Sequence, residues 1–429
     1  MIRTNRREFM QQVGAGLAAL AYRGRREPAS PAYVVGIGRR PDPYLATLAA
    51  ISGCGQWPSS ALSGRTVVIK PNLAIGSPAT SGITTDPEVV RAVVDLALAE
   101  GAAQVLIAEG GPWGAALFAD CGYGFFDSYD AQGRVRLLDL NLVAESLVPV
   151  PEGMAYGNLY LPEAVLAEDV FFVSAGKMKT HFHTVASLAM KNLLGLPLLS
   201  RYGIRGSTVR AGMHERGIHQ AIVDLNRVRP VHFAVIDGIW AMEGKGPTQG
   251  TAVSMDTVVA GANAPAVDRV CLQAMGIAQG MVHHLNLAAR LGMGPADLSD
   301  IEVAGDPLIS RSFVLPETPP IVSMPWIHPR VFSPETGQST NILYWLGPPG
   351  GLCSIRIALA SPDAAALTPI RTVQAWTGMS SGVHFARWDG LDDSGRPVPG
   401  PGTYAVQLRA MRDLAHRQEM DAVSWVTVR

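Results

Sequence analysis

Lysine is nearly missing from this chain. Of 35 basic residues only five are lysine, Lys70, Lys177, Lys179, Lys191 and Lys245; the remaining 30 are arginine. Cysteine is scarce as well. Cys54, Cys121, Cys271 and Cys353 are widely spaced and no C-x-x-C occurs. That argues against a cysteine-ligated iron–sulfur cluster and a zinc ribbon, and isolated buried thiols are the expected state. Past the N-terminus there is no long basic run, and net charge is −1, which argues against nucleic acid as a partner. No stretch reaches the roughly 18 uninterrupted apolar residues of a membrane span. No G-x-S-x-G, Walker or G-x-G-x-x-G pattern follows a strand-like segment.

What is present describes a folded protein of more than one domain. The chain has 429 residues, 48% hydrophobic and 17% charged, which fits globular folding and two or three domains. Residues 1–22 read MIRTNRREFMQQVGAGLAALAY. The Arg6-Arg7 pair, the apolar run Val13–Ala21 and Ala19-Leu-Ala21 look like a twin-arginine export signal, too short to span a bilayer. Residues 1–30 are therefore expected to be a signal peptide, placing the chain in the periplasm or cell envelope. That route carries proteins already folded, often with a cofactor, whose identity the sequence leaves open.

From 31 to 310, strand-like and helix-like stretches alternate. Short Val- and Ile-rich runs at Tyr33–Ile37, Thr66–Ile69, Gln104–Ala108, Val170–Ser174, His232–Ile236 and Thr257–Ala260 predict strands. Asp86–Glu100, with Pro87 in its first turn and Gly101 past its end, predicts a helix, as does Ile218–Arg227. The alternation predicts an α/β fold, a mostly parallel sheet with helices on both faces. Proline then becomes dense, so 311–330 reads as a linker and 331–429 as a small all-β sandwich.

In an open α/β sheet, ligands bind beyond the carboxyl ends of the strands. Lys70 and Asn72 follow one predicted strand, Glu109 another, and Lys177, Lys179 and His181 a third. Asp237 and Glu243 follow a fourth, and Asp268 lies on the helix after a fifth. Five strands are thus expected to converge on one rim. Arginine is a fixed planar cation, whereas lysine is a point charge whose pKa falls readily on desolvation. All five lysines lie in strand-end loops or in the helix after one. Their retention there points to ammonium groups that neutralise an anion, move protons or form a Schiff base. Lys179, His181, Glu243 and Asp268 are the candidate proton-moving groups. Lys70, Asn72, Thr84, Thr85, Glu109, Lys177, Lys191, Asn192, His214 and Asp237 are candidate ligand-binding residues. His181 and His183, two apart, would share a face on a strand. His214 follows an Arg-rich loop that reads either as a lid or as a solvated loop. Thr84 and Thr85 precede Pro87 as candidate helix caps at an anion-attracting N-terminus. Glu109, Asp237, Glu243 and Asp268 could together hold a divalent metal, which the nearby lysines oppose; the metal stays open. His283 and His284 open a helix and read as structural.

The motifs VVIKPNLAIG, TTDPEVVRAVVDLALAEGAAQVLIAEGG, GKMKTH, SLAMKNLLG, IVDLN, IDGIWAMEGKGPTQG, ANAPAVDRV and HLNLAARLGMG occur in that order. Over residues 33–306 the chain resembles domain-of-unknown-function family 362. The resemblance implies that Lys70, Asn72, Lys179, His181, Lys191, Asn192, Glu243 and Asp268 form the family's shared site. It names no reaction. The ferredoxin-like cluster domain attached to other members is not matched here. Residues ARWDGLDDSGRPVPGPGTYAVQLRA resemble the immunoglobulin-like repeat of the flagellar hook-capping protein, which implies an immunoglobulin-like spacer or envelope-attachment module.

Three classes of function stay open at this stage: an exported enzyme acting by acid/base chemistry on a small anionic substrate, a binding protein for a metabolite, cofactor or metal, and an envelope scaffold.

Overall fold

The computed structural model describes residues 33–429 except 60, 113, 204–209, 211–212, 215, 318–321, 323, 360–366 and 416–418, and the side chains of 348 and 349. The expected export signal lies outside the described residues, as does most of the Arg-rich loop before His214.

The first region contains strands β1 (Tyr33–Arg39), β2 (Thr66–Pro71), β3 (Gln104–Glu109), β4 (Val135–Asp139), β5 (Glu145–Pro149), β6 (Asn158–Pro162), β7 (Val170–His181), β8 (Val185–Ser187), β9 (Phe233–Lys245), β10 (Gln249–Gly261) and β11 (Ile301–Gly305). Its helices are α1 (Pro43–Cys54), α2 (Pro87–Ala99), α3 (Ala115–Asp120), α4 (Ala189–Asn192), α5 (Leu199–Tyr202), α6 (Ile218–Val228), α7 (Ala264–Ala274) and α8 (His283–Arg290). Nine strands form one sheet in the order β11-β1-β10-β9-β7-β2-β3-β4, with β8 beside β7. β5 and β6 pair separately.

The sheet is mixed, not mostly parallel as expected. β10 runs antiparallel to both β1 and β9, and β8 antiparallel to β7. The cause is local: Lys245 and Gln249 pair directly across a tight reversal, so β9 and β10 form a hairpin instead of a crossover unit. Two strands are also longer than their apolar runs suggested. β7 continues through Gly176–His181, and all 12 of its residues are buried. β9 continues to Lys245.

Local chemistry explains the helices that carry the sheet. Asp86, not Thr84 or Thr85, caps α2; its side chain accepts the Glu88 N–H while Pro87 fills the first position. Val89, Val90, Val93, Val94 and Ala97 then bury one helix face. On β1, a Cβ added at Gly36 or Gly38 would lie 2.0 Å from the Ala50 oxygen or 1.8 Å from the Ala46 oxygen. Glycine lets α1 lie directly on the strand backbone there.

The C-terminal part is a separate six-stranded sheet of β12 (Trp326–His328), β13 (Val331–Phe332), β14 (Thr340–Leu359), β15 (Thr368–Trp388), β16 (Gly402–Met411) and β17 (Met420–Val428). β12 falls within the expected linker. β14 pairs with β15 along one edge, and with β12 and then β16 along the other. Trp388 is buried between Phe332 and Tyr404. Asp392 closes the Asp-Asp-Ser-Gly turn by accepting the Ser394 and Arg396 N–H groups.

Candidate functional site: an enclosed lysine cluster

The lysines are inside. Lys70, Lys177 and Lys179 are each only 1% exposed, Lys191 is half-buried, and Lys245 alone is exposed. Lysine is almost never buried unless paired, so each partner matters.

Lys70 leaves the end of β2 and meets Glu109 at the end of β3. Its Nζ lies 2.9 Å from both carboxylate oxygens and also donates to the Pro71 and Asn192 oxygens. Glu109 further accepts the Leu73 and Gly110 N–H groups. Removing one member of such a pair costs roughly 3–5 kcal/mol, because the survivor is a buried unpaired charge. Gly195 closes over this pair: a Cβ there would sit 2.5 Å from Lys70 Nζ and 2.8 Å from Glu109 Oε1. Lys177 is neutralised likewise, 2.7 Å from Asp237. Asp237 also accepts the Asp86 and Ile239 N–H groups, which ties β9 to the start of α2.

Lys179 and Lys191 have no such partner among the described residues. Lys179 Nζ donates 2.7 Å to the Ile83 carbonyl. Lys191 makes no hydrogen bond or ion pair among the described residues. Burial drives the pKa of Lys179 well below its ordinary value, and the charges of Lys191 and Lys177 add to the effect. Burial, then the charge of Lys70, holds Lys191 at about 7. Among the described residues, two of the four enclosed amines therefore lack a counter-charge.

Histidines extend this cluster. His181 ends β7 and His183 lies in the turn to β8, so the two do not share a strand. The His183 N–H donates to His181 Nδ1 at 3.0 Å, which puts the His181 proton on Nε2. His214 faces the Arg210 carbonyl through Nδ1 and lies ring to ring with His183, centroids 5.4 Å apart. Burial lowers all three, His183 to about 3 and His214 to about 4, and Lys191 contributes to each depression.

The amides are ordered around Lys70. Asn192 donates to the Lys70 carbonyl and to Ser174 Oγ, and Asn72 Nδ2 donates to Asn192 Oδ1. The Asn72 N–H donates to Thr85 Oγ1, which donates to Ala175 O. Thr84 Oγ1 donates to Ser77 O. Both threonines pin the loop before α2 to β7 and to residue 77.

Two expected proton carriers are occupied elsewhere. Asp268 accepts the Ala189 and Met190 N–H groups at 2.7 and 3.0 Å, holding the start of α4 and hence Lys191. Burial raises its pKa to about 7. Because β10 is antiparallel, Asp268 comes from the opposite rim of the sheet, and four strands, not five, share the site's rim. Glu243 accepts from Val314 and Arg311 and has no described bond to the lysines. With Asp237 on Lys177 and Glu109 on Lys70, the four carboxylates do not gather. No group of three or more His, Cys, Asp or Glu suited to a metal occurs among the described residues.

Sequence reasoning passed over Arg210, Gly195 and the His219–His284 pair. Arg210 donates to the Gly110, Gly195 and Pro197 carbonyls, stitching the site's backbone. His219 Nδ1 accepts the His284 N–H, so the 3.0 Å Nδ1–Nδ1 contact carries the His284 proton. A lone glycine among leucines in KNLLG was the signal for Gly195; nothing local marked the other two. The four cysteines are free and buried.

No helix among the described residues is long and apolar enough to cross a membrane. The chain is similar to a thylakoid-associated protein of Synechocystis, 23% identical over 238 residues, covering 54% of this chain and 70% of the relative. Among solved structures it aligns with a β-glucosidase from Erythrobacter marinus at 10% identity and TM-score 0.17, covering 92% of this chain and 49% of that one. An engineered protein aligns at 9% identity and TM-score 0.16, covering 82% and 59%. Likenesses so slight carry no argument. The α/β region is placed more firmly: residues 67–273 match the family described as Domain of unknown function (DUF362).

Proposed function

We propose that the α/β region binds a small anionic ligand against Lys191 and performs acid/base chemistry on it, with Lys191 as the proton carrier. The observation that carries this reading is the charge imbalance: four enclosed lysines and, among the described residues, two carboxylate partners. An anion would supply the missing charge. An amine held at about 7 gives and takes protons efficiently at neutral pH. Asp268 is then a positioning residue and His181 a neutral N–H donor. In the same reading, residues 1–30 are a twin-arginine signal, and the C-terminal sheet is an immunoglobulin-like attachment module in the cell envelope.

The scarcity of lysine makes the test direct. Protein labelled with ¹³C and ¹⁵N only in lysine has five side-chain signals. Lys191, assigned through Lys191→Met, should titrate near 7, and millimolar phosphate should move its midpoint upward. A Lys191 midpoint at the ordinary lysine value, unmoved by phosphate, would sink the proposal. A ligand that returns chemically unchanged after long incubation would leave a binding protein without turnover.

A further inference from the structure

Asn192, the chain neighbour of Lys191, holds Asn72, whose amide carries an acceptor that no ordinary anion-binding group explains. Lys70 fixes it through a chain of forced choices. Its ammonium can only donate, so the Asn192 atom 3.2 Å away must be the carbonyl oxygen. Asn192 Nδ2 is independently committed to the Lys70 carbonyl and Ser174 Oγ. Asn72 approaches the same Asn192 oxygen at 3.2 Å, so it must present its NH₂ there. Its amide cannot be turned over without setting two carbonyl oxygens against each other. Asn72 Oδ1 is therefore left pointing away from Asn192, buried and with no hydrogen-bond partner among the described residues. A buried acceptor of this kind is costly unless something donates to it.

We infer that the ligand is an oxyanion that still carries a proton, its charged oxygens answering Lys191 and its O–H donating to Asn72 Oδ1. Hydrogenphosphate belongs to this class; sulfate does not. The inference rests on the anion-binding reading above and adds the donor. A cluster serving only to attract negative charge would present donors alone. An amide acceptor set against it discriminates: an anion lacking the proton leaves Asn72 Oδ1 unpaired, or brings its own lone pairs against it. Sites built to hydrogen-bond a particular group reject the isostere that lacks it far more strongly than apolar pockets reject a methylene.

The test uses three dianions of similar size at pH 8: inorganic phosphate, sulfate and methyl phosphate, whose second ionisation, near pH 6 for phosphate esters, leaves it without a proton. Calorimetric titration of the full protein should show phosphate binding at least tenfold more tightly than either of the others. Asn72→Leu should lower phosphate affinity by tenfold or more and leave sulfate unchanged or improved. If the three bind wild-type protein equally while each moves the Lys191 signal, the donor inference is overturned and the anion site survives. If none of them binds or moves that signal, the anion site itself is overturned, and the inference with it. The wild-type comparison decides the matter even if Asn72→Leu fails to fold.

Discussion

Gln220 and Val423 exchange two hydrogen bonds. Gln220 Nε2 donates 2.7 Å to the Val423 carbonyl, and the Val423 N–H donates 2.8 Å to Gln220 Oε1. A helix side chain thus completes a strand. On one side β17 pairs with β16 throughout, but on the other β13 covers only Thr427 and Val428. Gln220 caps part of the remaining edge, where an open strand would invite pairing with another chain. Gln220→Leu should leave two buried backbone groups unsatisfied, at about 3 kcal/mol together. Urea denaturation should show that loss; one below about 0.5 kcal/mol would mean water replaces the amide.

Lys191→Met should stabilise the ligand-free protein at pH 7 by roughly 1 kcal/mol, in line with other substitutions that relieve functional strain. The wild type should also carry a distinct pH slope. Lys191 is held near 7 when folded and returns to the ordinary lysine range when unfolded. The unfolded chain therefore holds more protons between those values, so stability rises with pH from about 7 upward. Lys179, lowered by burial, acts in the same sense. Melting curves at pH 7 and 9 should differ less in Lys191→Met than in wild type.

Asp268 should show the opposite sign. Its folded pKa of about 7 lies above the unfolded value, so its contribution to stability declines as pH rises from about 4 to about 7. Asp268→Asn should remove that component. It should also cost about 2 kcal/mol at pH 8, where Asp268 is ionised, because an amide cannot accept from both Ala189 and Met190 with both of its atoms. If Asp268 only positions Lys191, the variant should shift the Lys191 midpoint while phosphate binding persists. A variant that loses binding altogether would return Asp268 to the ligand.

Gly195→Ala should displace the Lys70–Glu109 pair, since the new methyl would overlap Lys70 Nζ and Glu109 Oε1. Overpacking of this kind costs about 1–3 kcal/mol. Thermal unfolding gives the cost; the Lys70 signal in lysine-labelled protein should shift with it.

Much of this was legible where one physical signal dominated. The valine-rich runs begin β1, β2 and β3 where expected, because an apolar strand between helices has few alternatives. The α2 helix announced itself through Asp86-Pro87 and its apolar face, although the adjacent threonines competed for the cap. β7 was half-read: Lys177, Lys179 and His181 look like loop residues until each is matched with Asp237, Ile83 O or the His183 amide, partners 2 to 96 residues away. The direction of β10 was not read, because hydrophobic period says nothing about which way a strand runs. The sequence singles out five lysines as a group; four of them are enclosed and Lys245 is exposed. That two of the enclosed ones would lack carboxylates among the described residues depended on Glu243 and Asp268 being spent on Arg311 and on backbone, which no local pattern encodes.

The inward placement of lysine has a practical consequence for anyone handling the protein. A protease that cuts only after lysine meets one exposed target on the native fold, Lys245, in the β9–β10 hairpin. The other four sites open only when the sheet comes apart, so each further fragment would date an opening event in its own strand or helix.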